Sequence, residues 1–181
     1  MCGIISTAPQ LTDMVTNATQ GSILSIDRTF NVGPHYVTSI TYKNMKINNR
    51  DYPYENPLFL GPIFLHRQAI DDDYAAFLLF LKNSIASKYP DFDFSQLVIV
   101  SDQEKALTKA IDAVFEDSLV ARCYLHIKKN ISHWLDKVTL DHRDKDKIKG
   151  YFHCLIMANN ATGFQEFKDR LNLFDLSEVI A

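Results

Sequence analysis

Two aspartates follow short apolar segments that are typical of buried strands. Asp27 comes directly after residues 22–26, and Asp102 follows residues 97–100 with only one residue between. Carboxylates at the carboxyl ends of neighbouring strands can lie close together, and carboxylate oxygens suit Mg²⁺ and Mn²⁺. Two such ions can activate an attacking water or 3′-hydroxyl and stabilise the leaving oxygen in phosphoryl transfer. We therefore predict that Asp27 and Asp102 share a divalent-metal site.

Each aspartate also has a structural interpretation. Asp102 precedes a helical pattern and fits a helix N-cap serving Gln103 onward. Asp27 precedes residues 31–33 and fits a turn aspartate. The occurrence of both residues after apolar runs favours the catalytic interpretation.

The hydrophobic pattern predicts the elements that would position these residues. Three consecutive strands come first, and Gly61 and Pro62 interrupt the third, which indicates a bulge or an edge position. The pattern then alternates between helix and strand. The predicted strands are residues 22–26, 35–42, 58–65, 97–100 and 118–123, and the predicted helices are residues 71–89, 106–115, 127–138, 151–157 and 162–171.

The composition indicates one folded core. The chain has 181 residues, of which 46% are hydrophobic, which is enough for one domain and too little for two. We expect residues 1–20 to be a tail or domain edge outside the core, and residues 21–181 to form a single domain. No apolar stretch approaches the roughly 18 residues of a membrane span, and no export signal is visible at the start, so neither insertion nor export is predicted.

The charge balance requires any DNA-binding surface to be local. Lysine and arginine total 19 and aspartate and glutamate total 22, giving a net charge of −3. The candidate DNA contacts on one predicted helix are His126, Lys129, Asn130 and His133. A solvated helix face is the alternative interpretation of these residues.

The cysteines do not predict a disulfide framework or a zinc site. Three cysteines are an odd number, which favours reduced thiols. Cys123 and His126 supply half of a zinc spacing, but the remaining pair, His153 and Cys154, is adjacent and fits tetrahedral ligation poorly. We predict no stably bound zinc.

Three groups of segments resemble, in order, sequence blocks of Mutator-like element transposases. The first catalytic block is similar to residues 25–33 together with 36–38 and 42–44, the second to residues 57–62 and 101–107, and the Cys-x-x-His block to residues 122–130. The resemblance covers roughly residues 21–130 and extends more weakly to about residue 174.

This resemblance implies a fold, an activity and a third ligand. The fold is α/β and RNase H-like: a mixed five-stranded sheet flanked by helices, with a helical insertion before the last helix. The activity is Mg²⁺- or Mn²⁺-dependent cleavage and strand transfer of DNA at transposon ends. The third acidic ligand is expected on a late helix, where Glu166 is the candidate and Glu104 and Glu178 are alternatives. The resemblance also places Cys123 and His126 near the carboxylates, as a shaping element or as DNA contacts.

Further expectations concern the whole protein. The resemblance implies a nuclear location and separate zinc-binding DNA-recognition modules, which this sequence does not show, so we expect a fragment of a longer protein or a degraded copy. A homo-oligomer is left open. Two other functions stay open as alternatives: a domesticated, inactive DNA-associated regulatory module, and a small α/β interaction domain whose acidic residues are only caps and surface groups.

Overall fold

The computed structural model describes residues 2–48, 50–52 and 55–172. In these residues the strands are β1 (Gly3–Ile5), β2 (Leu24–Val32), β3 (His35–Lys43), β4 (Leu58–His66), β5 (Val98–Ser101) and β6 (Leu119–Arg122). The helices are α1 (Ala8–Ala18), α2 (Asp71–Lys88), α3 (Lys105–Val114), α4 (Tyr124–Lys137), α5 (His142–Ile156) and α6 (Ala161–Asn172), and a short 3₁₀ helix spans Phe94–Gln96. No helix among the described residues is long and apolar enough to cross a membrane.

The strands form one mixed sheet, as predicted, in the order β1-β4-β3-β2-β5-β6. Strands β2, β3 and β4 pair antiparallel, whereas β5 pairs parallel with both β2 and β6. The expected count of five strands is wrong for the described residues, which form six. The additional strand is β1, which pairs with the end of β4 through Gly3 opposite Leu65.

The expectation that residues 1–20 lie outside the core is also wrong. The side chain of Thr7 accepts a hydrogen bond from the Gln10 N–H and begins α1, and Met14, Val15 and Ala18 of that helix are buried in the core. The Gln10 side chain also donates to carbonyl oxygens of β4.

The polar composition of α1 concealed its helical pattern. Thr12, Thr16 and Asn17 each donate a side-chain hydrogen bond to the carbonyl oxygen four residues earlier. Because these bonds satisfy the polar groups locally, the helix can pack on the sheet despite its polar sequence.

The Gly61–Pro62 interruption is a register irregularity inside the sheet. The pairing of β3 with β4 shifts between Ser39 and Thr41. A Cβ at Gly61 would lie 3.1 Å from the Ile40 carbonyl oxygen and 3.2 Å from the Met14 Sδ, so glycine permits this close approach. Strand β4 lies between β1 and β3, so the bulge interpretation is confirmed and the edge interpretation is wrong.

The chain divides into two compact units, residues 1–123 and residues 124–181. We call them the sheet unit and the helical unit. The sheet unit has a large core to which α1, α2, α3 and the strands all contribute. The helical unit contains α4, α5 and α6, and its buried centre in the described residues is Leu135, Ile148 and Leu171. The expectation of one domain over residues 21–181 stays a prediction.

Candidate functional site

The pairing of β2 with β5 brings the two predicted aspartates to the same place in the sheet. Leu24 lies opposite Ile99 and Ile26 lies opposite Ser101. Asp27 and Asp102 follow Ile26 and Ser101 directly, so they occupy the next position along the two strands. Neighbouring strands are about 4.8 Å apart, and the backbones at these two residues are therefore adjacent. Both residues are half-buried.

Asp27 does not end its strand, contrary to the sequence interpretation. Strand β2 continues to Val32 and pairs with β3 up to a tight turn at Gly33, whose φ is +58°. Only the pairing with β5 stops, at Ile26. The apolar run ends at Asp27 because β2 has two neighbouring strands, β3 and β5, up to Ile26 and only β3 beyond it.

Asp102 shapes the start of α3 without being its N-cap. Its Oδ1 accepts a hydrogen bond of 3.0 Å from the backbone N–H of Glu104, and Glu104 is the N-cap residue. The expected capping role of Asp102 is therefore replaced by a turn two residues long. This turn fixes the direction of the Asp102 carboxylate at the end of β5.

A third carboxylate in the sheet unit is engaged by other residues. The Oε1 of Glu104 lies 3.3 Å from the Arg28 Nη1 and accepts a 3.0 Å hydrogen bond from the Tyr74 hydroxyl. The Glu104 side chain is only 15% exposed. Burial, followed by the negative charge of Glu104, raises the pKa of Tyr74 far above its usual value, so the phenol stays a donor. Arg28 and Tyr74 therefore hold the Glu104 carboxylate in place.

Sequence reasoning missed the partners of Glu104. Arg28 follows Asp27 directly, and its guanidinium lies over the Tyr36 ring at 4.8 Å from the centroid. The sequence did place Arg28 next to the candidate ligand Asp27. An arginine at such a position can form a charge-assisted hydrogen bond with a nearby carboxylate, so an ion pair could have been predicted there. Tyr74 gave no comparable signal because it lies in the apolar stripe of α2.

Cys123 lies beside the same end of the sheet. Its backbone N–H donates to the Ser101 carbonyl oxygen at 2.7 Å, which extends the pairing of β5 with β6 by one residue. Cys2, Cys123 and Cys154 are free thiols. This backbone hydrogen bond to the residue before Asp102 supports the expected position of Cys123 near the aspartates.

The predicted DNA-contact residues of the helical unit lie on α4. The helix itself is confirmed. Lys129, Asn130 and His133 are exposed, and His126 is half-buried. Their contact with DNA stays a prediction.

Glu166 lies in the middle of α6 in the helical unit. The Asn160 side chain accepts a hydrogen bond from the Gly163 N–H and caps the start of this helix. Glu166 is exposed and forms an ion pair with Arg170, one turn later. Its role as third ligand stays a prediction, and the alternative Glu178 lies outside the described residues.

A comparison with known sequences finds a family match for part of the chain. A family model described as "Transposase, Mutator family" matches residues 95–173. This segment is similar to the Mutator transposase family. No curated protein matches the chain.

The Mutator-family segment begins just before β5 and ends after α6. It therefore contains Asp102, Cys123, His126 and Glu166, whereas Asp27 lies outside it. The predicted resemblance is confirmed for this segment. The link between Asp27 and the Mutator-family segment is structural, because β2 pairs directly with β5.

Two candidate metal ligands, Asp27 and Asp102, are brought together by the strand pairing. Within the described ranges, no group of three or more histidine, cysteine, aspartate or glutamate side chains is arranged to hold a metal ion. Two half-buried carboxylates at adjacent strand positions supply hard oxygen donors, which fit Mg²⁺ or Mn²⁺. A complete site would need oxygen atoms from a further acid, water or substrate phosphate.

Proposed function

We propose that this chain contains the catalytic core of a Mutator-like transposase, which cleaves and transfers DNA strands at transposon ends. The observation that carries the proposal is the register of β2 and β5. This register sets Asp27 beside Asp102, and Asp102 lies in the Mutator-family segment. Two independent features, a family match and a strand pairing, thus support a site at the carboxyl end of β5.

The topology supports an RNase H-like core. Three consecutive strands pair antiparallel, and the next two strands run parallel to the first of them with a helix between them. That is the element order of RNase H-like nucleases, whose carboxylates converge at neighbouring strand ends. In this interpretation β1 and α1 are additions to a five-stranded core.

The proposed ligands of Mg²⁺ or Mn²⁺ are Asp27, Asp102 and Glu166. Bound ions would supply charge to the attacking and leaving oxygens of the phosphoryl group. The protein itself would orient the ligands: the Glu104 backbone N–H donates to the Asp102 carboxylate and fixes its direction. Positioning of this kind contributes much of the rate in phosphoryl transfer.

The proposed DNA surface includes the exposed residues of α4. Lys129 offers a cation, and Asn130 and His133 offer hydrogen-bonding groups on the same helix. Contacts of this kind go mainly to the DNA backbone, and they set orientation more than sequence preference.

A nicking assay on supercoiled DNA tests the proposal. We expect cleavage that requires Mg²⁺ or Mn²⁺ and that falls about 100-fold or more in Asp27→Asn and Asp102→Asn, since lost ligands remove several kcal/mol of stabilisation. Asp117→Asn, an exposed aspartate in the connection between α3 and β6, is the matched control and should cut normally.

The negative outcomes separate the alternatives. DNA binding without cleavage by the wild-type chain would favour the domesticated regulatory module. Neither binding nor cleavage would favour the interaction domain. Equal cleavage by Asp27→Asn and the wild type would remove the shared-metal interpretation of the two aspartates.

A further inference from the structure

The surface of the sheet unit carries a basic pocket on the outer face of α3. Its volume is about 460 Å³, within the range of small-ligand sites. It is lined by Gln103, Lys105, Thr108, Lys109, Asp112 and Arg122. Three of these residues are cationic and one is anionic, so the pocket is electropositive in a chain whose net charge is −3.

The three cations differ in what they already bind. Lys109 forms an ion pair with Asp71, which raises the Lys109 pKa. Arg122 donates to the neutral Thr108 hydroxyl at 2.9 Å and forms no ion pair within the part of the chain that the structure describes. Lys105 is exposed and forms no ion pair with any described residue. Lys105 and Arg122 therefore retain charge that an anion can use.

The pocket adjoins the candidate active site through Arg122. The Arg122 Nη1 lies 3.5 Å from the carbonyl oxygen of Asp102, and Ser101 pairs with Arg122 across β5 and β6. Arg122 is held in place by this pairing and by its hydrogen bond to the Thr108 hydroxyl of α3. A group bound by Arg122 would thus sit next to the Asp102 turn.

We propose that this pocket binds a backbone phosphate of DNA, one or more nucleotides from the phosphate at the Asp27–Asp102 pair. Lys105 and Arg122 supply the charge, and Thr108 and Gln103 supply hydrogen-bonding groups. Arginine suits phosphate because its planar guanidinium can donate two hydrogen bonds to it. The proposal rests on the proposed DNA function, and it adds the residues that hold the strand beside the site.

Binding is measured by fluorescence anisotropy with a short labelled duplex in EDTA, so that no cleavage occurs and no metal is needed. Lys105→Gln and Arg122→Gln should each weaken binding roughly tenfold, equally for duplexes of unrelated sequence. Each should also reduce the slope of log K against log salt by about 0.9, as one lost phosphate contact requires. Lys46→Gln, an exposed lysine between β3 and β4, is the control for a lost charge.

A variant of opposite sign sharpens the test. Asp112 places a negative charge on the pocket wall, so Asp112→Asn should tighten binding about twofold, whereas Asp117→Asn outside the pocket should not. Circular dichroism and thermal unfolding establish that every variant folds.

The outcomes separate this proposal from the proposed function. Binding by Lys105→Gln and Arg122→Gln that equals binding by Lys46→Gln would overturn the pocket, even if the chain cleaves DNA. Pocket-dependent binding in an Asp27→Asn variant that does not cut would support the pocket without cleavage. If the substitutions weaken binding of inorganic phosphate but leave DNA binding unchanged, the site takes a small free anion and the DNA assignment is wrong.

Discussion

The sheet unit and the helical unit hold their candidate functional residues in different ways. In the sheet unit, strand pairing fixes Asp27 against Asp102 to within one residue of register. In the helical unit, Glu166 and Lys129 stand exposed on helices whose common buried centre is small. Strand pairing determines which residues from distant parts of the chain are neighbours. An exposed helix face does not fix such a distant neighbour for a side chain. The aspartates are therefore the stronger part of the assignment.

The family match crosses this division. Residues 95–123 of the matched segment belong to the sheet unit, and residues 124–173 belong to the helical unit. The Mutator pattern therefore includes both a strand-anchored acid, Asp102, and a helix-borne acid, Glu166. If both serve one reaction, the exposed acid should matter as much as the anchored one.

The largest expected effect separates two glutamates. Glu166→Gln should reduce metal-dependent cleavage about 100-fold or more while leaving the fold intact, because a missing third acid under-neutralises the metals. Glu104→Gln should cut at nearly the wild-type rate and lower the free energy of unfolding by about 1–3 kcal/mol, since Arg28 and Tyr74 lose a charged partner. Cleavage rates and denaturant unfolding of both variants provide the measurement.

The opposite result for the two glutamate variants would change the assignment of the third ligand. Normal cleavage by Glu166→Gln with loss in Glu104→Gln would move the third ligand into the sheet unit and leave the transposase function standing. Asp169→Asn, an exposed acid on the same helix as Glu166, is the matched control for a change of charge on α6.

A smaller effect, on the free energy of unfolding, tests whether α1 belongs to the core of the sheet unit. Met14→Ala should destabilise the protein by about 2–5 kcal/mol because Met14 is fully buried. Gly61→Ala should also destabilise it, since the new Cβ would meet the Ile40 carbonyl oxygen and the Met14 Sδ. Denaturant unfolding measures both.

The control for these substitutions is Gly3→Ala, where a Cβ would meet nothing within 4 Å. Its stability should stay within about 0.5 kcal/mol of the wild type. A Met14→Ala variant as stable as Gly3→Ala would return residues 1–20 to the peripheral position that their polar sequence suggested.

Elements with a strong hydrophobic period could be predicted from the sequence. The apolar stripe of α3 and the run of β5 each allow one interpretation, and both are confirmed. Helix α1 could not be recognised because its sequence is polar and shows no clear apolar period. Its threonines and Asn17 are accommodated by hydrogen bonds within the helix, which the sequence does not reveal. The short strand β1 was missed because three residues carry too little pattern, and its place depends on pairing with β4.

The candidate site, like the fold, could be predicted only in part from the sequence. Asp27 and Asp102 follow apolar runs, so their convergence could be expected from the sequence. The engagement of Glu104 by Arg28 and Tyr74 could not, because it joins residues from β2, α2 and the start of α3 that are far apart in sequence. The basic pocket was missed for the same reason: Lys105 and Arg122 belong to different elements.

The smallest expected effect concerns zinc near the division between the two units. Cys123 is the last residue of the sheet unit, and His126 lies in the first turn of α4. The second pair that a tetrahedral site would need, His153 and Cys154, consists of neighbours on α5, and adjacent helical residues do not face the same point. We therefore expect purified protein to contain no stoichiometric zinc and chelation to leave thermal unfolding unchanged. Structural zinc contributes on the order of 10 kcal/mol to folding, so a site of this kind could not escape detection. Stoichiometric zinc, lost together with the fold on chelation, would contradict the prediction and would make Cys123 and His126 ligands in place of DNA contacts.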